Sequence, residues 1–524
     1  METSDGGVTI STAGQEKRPE IGRPWLLLAG ALVIGFVCEA LLHGQPPGWG
    51  YAAAALVAAT IWVALGRGLG IRSSATGLLL LALGVFFSVM VGVRASTALT
   101  ALNILLGAAI ALLLAAVYAP GGLARLSLAD YVVEGCVSGL ALLIQPFVLI
   151  FGDLPKARPA PGGGRKLTPV LLGVLLALPL LLVFGALFAA ADAVFAAFVS
   201  HLFDWLPDLG ELIGRAILSL MLAWLALGLA RRAFTTTGDR SPWEKTINLD
   251  FLQIGGTTAL TVLALVNALF LAFVAVQAVY LFGGADTLAR TGLSHSEYAR
   301  RGFFELVTVA TLVLSLILLA DWLVRRVTGR GRRAINLLHG LLVILTLAIL
   351  ASALQRMRLY QQEYGLTELR FYTTAFMAWL GVVLVWLAAT VLARGDGLGR
   401  RRFAFGALVT GLALAAVLNV VNPDAWIART NLARAAAGVG QALDARYLGG
   451  SLSADAVPTL LAGLDRLPDP ARADLRCQLH GKYQLLEAQA RRLTWRGANL
   501  GTTVARRALA AADAGLAAAC PAKK

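Results

Sequence analysis

Residues 257–282 read TTALTVLALVNALFLAFVAVQAVYLF, a run without a charged side chain. As a helix rising 1.5 Å per residue it extends about 39 Å, more than the roughly 30 Å of a bilayer's hydrocarbon core. The run therefore predicts a membrane span, Thr257–Phe282. Runs of similar character lie on both sides of it: Trp25–His43, Tyr51–Leu65, Ala75–Val93, Ser96–Tyr118, Thr168–Phe188, Leu209–Ala230, Phe303–Val324, Ala334–Leu354, Phe371–Ala393 and Phe403–Val421. Together they predict an all-α fold, a polytopic transmembrane helix bundle of about eleven spans.

Composition agrees. Of 524 residues, 58% are hydrophobic and 14% charged, against about a quarter charged in an ordinary soluble domain. A string of soluble domains is excluded, and so is a disordered chain. The net charge of +15 comes from 45 Lys and Arg against 30 Asp and Glu. In a soluble chain that excess would suggest nucleic acid, but here its distribution points to topology, and no nucleic acid is expected. Alternate connections hold 23 of the basic residues, among them Arg67, Arg72, Arg231, Arg232, Arg330, Arg332 and Arg333. The opposite connections hold only Arg94, Arg290, Arg300, Arg301, Arg356, Arg358 and Arg370. Short cytoplasmic loops collect Lys and Arg, so the N-terminus is expected in the cytoplasm and the C-terminus outside. The asymmetry survives only if Tyr131–Phe151, which carries Glu134, Gln145 and Pro146, lies along the inner surface or re-enters.

Five regions follow. Residues 1–23 form a cytoplasmic polar lead, and the first span is too long for a cleaved signal, so it is expected to stay as an anchor. Residues 24–120 form a four-span membrane region. Residues 121–167 hold the interfacial segment and a Pro/Gly linker, LPKARPAPGGGRK. Residues 168–421 form a seven-span core, and 422–524 a small helical extracytoplasmic tail. The Ala- and Arg-rich usage fits a bacterial plasma membrane. Cys477 and Cys520 lie in the tail, in a compartment that permits a disulfide, whereas Cys38 and Cys136 lie in apolar segments.

The compact motifs GxxxxGK[ST], HExxH, CxxC and GxSxG are absent, and the five histidines are scattered. No cofactor and no metal is expected. Gly210 and Gly214 have the GxxxG spacing of close helix packing. Asn103 and Asn267 are read as amides joining helices. Glu211–Arg215 and Asp321–Arg325 are read as ion pairs one turn apart.

Charges near hydrocarbon cost about 2.5–3.5 kcal/mol each on insertion scales, so their placement is informative. Three stretches stand out at the expected outer surface. In Gln277–Glu305, Arg300 and Arg301 can anchor at headgroups, and Arg301 and Glu305 lie one turn apart. In Gln355–Tyr372, residues Arg356, Tyr360, Glu363 and Tyr364 share a helical face, Gly365 ends that helix, and Thr367, Glu368 and Arg370 begin the next. In Asn419–Asn431, Asn422 is placed as the N-cap of a helix that opens with Pro423 and Asp424. Arg300, Arg301, Glu305, Arg356, Arg358, Tyr360, Glu363, Tyr364, Glu368, Arg370, Asn422 and Asp424 are therefore the candidate ligand-binding residues; none is assigned a catalytic role.

The runs FLQIGGTTALTVLALVNALFLAFVAVQAVYLFGG, SEYARRGFFEL, RMRLYQQEYGLTELRFY and NPDAWIARTN, with LGGSLSADAVPTLLAGLD, resemble a bacterial membrane-protein family catalogued as domain of unknown function 4173, related to family 4153. The likeness covers about Thr168–Asp465 in pieces. It implies an integral membrane protein without an assigned activity, and it supplies no catalytic residues. The favoured reading is a non-enzymatic sensor or scaffold of the cell envelope. Its partners would be the lipid bilayer and either anionic headgroups or an envelope protein. A secondary transporter using Glu305 is one alternative. The other is an enzyme acting on a lipid-linked substrate, with Glu363, Glu368 or Asp424 as acid or base.

Overall fold

A computed structural model describes residues 21–118, 123–156, scattered positions from 177 to 191, and 192–202. It further describes 209–235, 254–282, 303–324, 327–392, 397–518 and 520. Among these residues all regular structure is helical. The helices are α1 Pro24–Leu42, α2 Trp49–Gly68, α3 Ala75–Val93, α4 Thr97–Val117, α5 Leu128–Val148, α6 Ala193–Leu202, α7 Leu209–Thr235 and α8 Gly256–Phe282. They continue with α9 Phe303–Leu323, α10 Gly329–Tyr364, α11 Glu368–Leu387, α12 Gly397–Val421, α13 Pro423–Ala436, α14 Val457–Gly463, α15 Asp469–Ala490 and α16 Leu500–Ala517. Eleven of them, α1 to α5 and α7 to α12, are long and apolar enough to cross a membrane, so the chain is a multi-pass membrane protein. The expected span Thr168–Phe188 lies largely outside the described residues; the stretch containing 131–151 is the described helix that completes the eleven.

The helices gather into two groups. In the first, α1 runs along α7, α2 lies between α1 and α3, and α4 packs on α3 and α7. Its core includes Leu27, Leu80, Phe87, Leu114 and Leu227. In the second group α8, α9 and α11 pack on α10 around Ile317, Leu342, Ile349 and Leu384. Helix α12 joins them, packing on α11 from one side while Ala415 enters the first core. Helix α7, which falls after the linker in sequence, thus belongs spatially with the first four helices. The sequence assigns it to the later core because a chain order does not reveal which helix returns to which.

Helix ends collect on two faces. One face, called basic here, holds Arg67, Arg231, Arg232, Arg332 and Arg400. The other, the domain face, carries helices α13 to α16. Helix α5 relates to the basic face at both ends. Arg232 bonds Glu134 and Ser138, and the adjacent Arg231 bonds Asp153 at 2.8 Å and Gln145. Glu134 and Asp153 are about 28 Å apart along a helix at 1.5 Å per residue. Neighbouring arginines of α7 reach both, and Gly228 lies against Leu142 where the two helices touch.

A Cβ on Gly210 or Gly214 meets nothing within 4 Å among the described residues. Two close crossings of α7 use other glycines. A Cβ on Gly228 would come within 2.7 Å of Leu142 Cα, and one on Gly35 within 2.3 Å of the Ser219 carbonyl oxygen. The spacing rule needs a partner helix on that face, and the sequence does not say where one lies.

Candidate functional site: a polar junction on the domain face

The α10–α11 turn has the shape its residues allow. Gly365 closes α10 at φ 77, a conformation that costs a residue with a Cβ. Thr367 caps α11, and the Leu366 peptide between them is held at both ends by Asn431 of α13: its N–H donates to Asn431 Oδ1 at 2.8 Å, and its carbonyl accepts from Nδ2 at 2.7 Å. Arg370 folds back over the turn, its guanidinium 4.1 Å from the Tyr360 ring centroid and donating to the Tyr364 and Gly365 carbonyls. Arg434 donates to the carbonyls of Glu363, Val439 and Gln441. The tyrosine and arginine motif therefore builds a turn and seats the tail on it.

At the α12–α13 junction Asn422 adopts the left-handed conformation, φ 58, and its side chain accepts from the Ala425 N–H as the expected N-cap. Its Nδ2 reaches the Asp455 carbonyl. Asp424 is fully buried and accepts from the Ser453 hydroxyl and N–H. Asp455 accepts from the Ala95 N–H at 2.8 Å, tying the tail to the α3–α4 turn. Behind this, Asn103 and Asn419 exchange amide hydrogen bonds at 2.8 and 2.9 Å, both wholly buried, so Asn103 joins helices as expected. Asn267 does likewise, donating to the Leu338 carbonyl.

Three carboxyls meet here. Those of Glu368 and Asp455 are each near Asp424. The cation among them is Lys482 of α15, whose ammonium donates to the Gly449 and Leu452 carbonyls. Burial pulls the Lys482 ammonium below the usual lysine range, while Asp424 and Glu368 act in the opposite sense. Burial pushes the Asp455 carboxyl above the usual aspartate range, against the opposing influence of the Ala95 N–H and Arg94. The Tyr447 hydroxyl accepts from the Glu368 N–H, and burial pushes that phenol up to about 12, so it stays neutral.

Among the candidate residues, then, Tyr360, Glu363, Tyr364, Glu368, Arg370, Asn422 and Asp424 are brought together, chiefly to hold the tail. Arg356 is half-buried and engaged, and Arg358 is exposed beside Gln355 and Gln362. Glu305 is exposed at the start of α9, whereas Arg300 and Arg301 lie outside the described residues. Among the described residues no group of three or more His, Cys, Asp and Glu is placed to hold a metal ion.

Several members of the junction are assigned no role by the sequence: Asn431, Ser453 and Asp455 lie within the runs that carry the family resemblance, whereas Arg434, Tyr447 and Lys482 lie outside them. Glu39 was equally silent in sequence, although one carboxylate inside an apolar span is itself a signal. It is 2% exposed and holds Arg215 at 2.7 Å, while the expected Glu211 partner stands at 4.0 Å. Asp321 likewise pairs with Arg332 and Arg400, and Arg325 lies outside the described residues.

A second anchor lies at the α1–α2 loop. Trp49 N–H donates to Ala498 O at 3.0 Å, Gly50 N–H to Arg496 O at 2.7 Å, and Thr494 N–H to Gln45 Oε1 at 2.9 Å. Two unpaired donors at the start of α2 are thereby satisfied by the tail. Within the tail, Cys477 and Cys520 form a disulfide, with Cα atoms 4.9 Å apart.

These features define a class: a polytopic helical membrane protein with a small disulfide-bonded helical domain clamped across one face of its bundle. The family described as Domain of unknown function (DUF4153) matches residues 75–463, and the chain belongs to it. The match begins at α3, earlier than the sequence motifs suggest, and so takes in the α3–α4 turn that Asp455 holds. No curated protein and no solved structure matches the chain.

Proposed function

We propose that this protein is a non-enzymatic sensor or scaffold of the bacterial cell envelope, with its C-terminal domain outside the plasma membrane and its basic face in the cytoplasm. The observation that carries the reading is that one turn serves two surfaces. Thr494 and Ala498 hold the α1–α2 loop, and both also line a cleft of about 170 Å³ between α15 and α16. Occupation of the cleft and seating of the domain act on the same backbone, which is the coupling a sensor requires. Trp495, 61% exposed, and Arg506 offer a ring and a cation at the rim. The collection of arginines on the opposite face supports the orientation. The narrower kinship with family 4173 rests on the motif at 356–372, and exposed Arg358 suits an anionic headgroup.

A photo-crosslinking side chain in place of Trp495, activated in intact cells, tests this. A discrete adduct that falls at least several-fold in Arg506→Gln is expected. No adduct, or one indifferent to that substitution, overturns the reading. A reporter active only in the cytoplasm, fused after Val421, is expected to be silent; activity there reverses the orientation.

A further inference from the structure

The first helix group is hollow. Helices α1, α2, α3, α4 and α7 close a ring in which each touches the next. Within it is a cavity of about 300 Å³ lined by all five and partly open to the outside. Protein interiors are ordinarily packed to the density of organic crystals, so a space of this size needs a cause.

Small side chains supply it. Ala55, Ala58, Gly84, Gly107 and Ala111 face the space from three helices. At Gly84 the nearest atom to an added Cβ would be 3.4 Å away, on Ile110, and at Gly107 it would be 3.7 Å away, on the Tyr51 hydroxyl. Both distances are ordinary contacts. These glycines are not required by a close helix crossing, unlike Gly35, where a Cβ would lie 2.3 Å from the Ser219 carbonyl oxygen. Their smallness leaves room for something else.

The lining says what. Ser88 spends its hydroxyl on the Gly84 carbonyl within α3, so the middle of the cavity is apolar. Cys38 and Tyr51 lie toward the domain face, and Trp62 and Leu114 toward the basic face. The cavity is elongated along the membrane normal: Tyr51 to Trp62 on α2 alone covers about 16 Å at 1.5 Å per residue. We infer that the ring holds the hydrocarbon chain of a membrane lipid, inserted lengthwise between α2, α3, α4 and α7. Its end near Tyr51 lies beneath the loop that the tail grips through Arg496 and Ala498, so the domain is seated over the site. Nothing in this inference depends on the sensor reading or on the cleft beside Trp495.

The test uses the full chain in nanodiscs made with a phosphatidylglycerol whose acyl chain ends in a photoactivatable diazirine. Labelling is expected on cavity residues such as Ala58, Val85 and Ala111. In Gly107→Leu and in Ala58→Leu, each of which fills the space, it is expected to fall at least tenfold there. Labelling at Phe36, Leu79 and Leu105, which are 60–69% exposed on the outer surface, is expected to stay the same. Label confined to those outer residues in the unaltered protein would overturn the inference, as would cavity label unmoved by both substitutions. Should neither variant fold, thiol labelling decides. With Cys136→Ser, Cys38 is expected to react with N-ethylmaleimide at least five-fold faster after delipidation, and equal rates would overturn it.

Discussion

The basic face and the seat of the tail on the domain face handle charge in opposite ways, although beside that seat Arg215 pairs Glu39 directly. On the basic face arginines answer carboxylates directly: Arg231 with Asp153, Arg232 with Glu134, and Asp321 with both Arg332 and Arg400. On the domain face Arg370 and Arg434 are turned onto carbonyl oxygens and tyrosine rings. The carboxylates there are met by peptide N–H groups, a serine, one lysine and, near Asp455, Arg94, which is itself turned onto the Asn419 and Val420 carbonyls. Direct pairs hold helices at whatever angle they meet, because a long guanidinium adapts. Carbonyls and amides are fixed by the path of the chain, so the domain-face arrangement holds only while three particular turns keep their shape. The first kind of contact fastens a bundle; the second reads the conformation of loops.

The sharpest way to break the contrast is at Asp321, which is 1% exposed and compensates two arginines. Asp321→Ala leaves both guanidiniums without their counter-ion in a largely dehydrated site, a loss of about 3–5 kcal/mol. The thermal midpoint of the detergent-solubilised protein is expected to drop sharply, while the tail stays seated. A drop in tail seating of equal size would mean the two faces are not separate systems.

Next in size is the Cys477–Cys520 bridge, with a sequence separation of 43. Cys520→Ser is expected to remove about 2–4 kcal/mol from the tail domain. The measurement is its denaturant midpoint with and without reductant, which is expected to differ only in the unaltered protein. The helices of the bundle should be indifferent. Smaller again is Asn431→Ala, which strips both partners from the buried Leu366 peptide and is expected to cost about 1–3 kcal/mol. Protease release of the tail reads this loss; release at the unaltered rate would show that the turn holds its shape without the tail.

Legibility in the sequence divides along the same line. Spans were readable because hydrocarbon forces nearly every side chain in a run of about twenty residues to be apolar, a constraint visible residue by residue. Turn residues were readable too: Gly365 and Asn422 occupy the positions that need their backbone freedom, and each sits where the local pattern put it. The junction was half legible. The stretch 355–372 showed that something polar was built there, but not that Arg370 would turn inward onto Tyr360 and the backbone. Asp455 and Lys482 sit in a polar tail where any carboxylate or lysine looks like solvated surface. Only the fold carries them to Ala95 and Asp424, hundreds of residues earlier or on another helix. The hollow in the first ring left no trace either, since an alanine that leaves a space and an alanine that fills one are the same letter.

The smallest expected effect is also the one that separates the two faces most cleanly, because it concerns protons. Burial raises the Asp455 carboxyl above the usual aspartate range in the seated domain. A group whose folded-state value is raised stabilises the fold fully below its unfolded value and loses that contribution as pH climbs through the raised one. Lys482 is lowered, so its contribution is present in full above the ordinary lysine range and is lost as pH falls through the lowered value. From these two groups the seating of the tail is weakest in the neutral window between them, where both are charged. Mild acidification, from neutral pH toward the ordinary aspartate range, is therefore expected to raise the denaturant midpoint of the tail slightly. Asp455→Asn keeps an oxygen for the Ala95 N–H and should reduce that acid limb by the Asp455 share, leaving what the neighbouring Glu368 and Asp424 carboxyls contribute and the alkaline limb intact. Lys482→Met should do the reverse. A midpoint that falls on mild acidification in the unaltered protein, and no longer falls in Asp455→Asn, would mean that the carboxyl is held by its charge rather than by its place in the fold, as on the basic face.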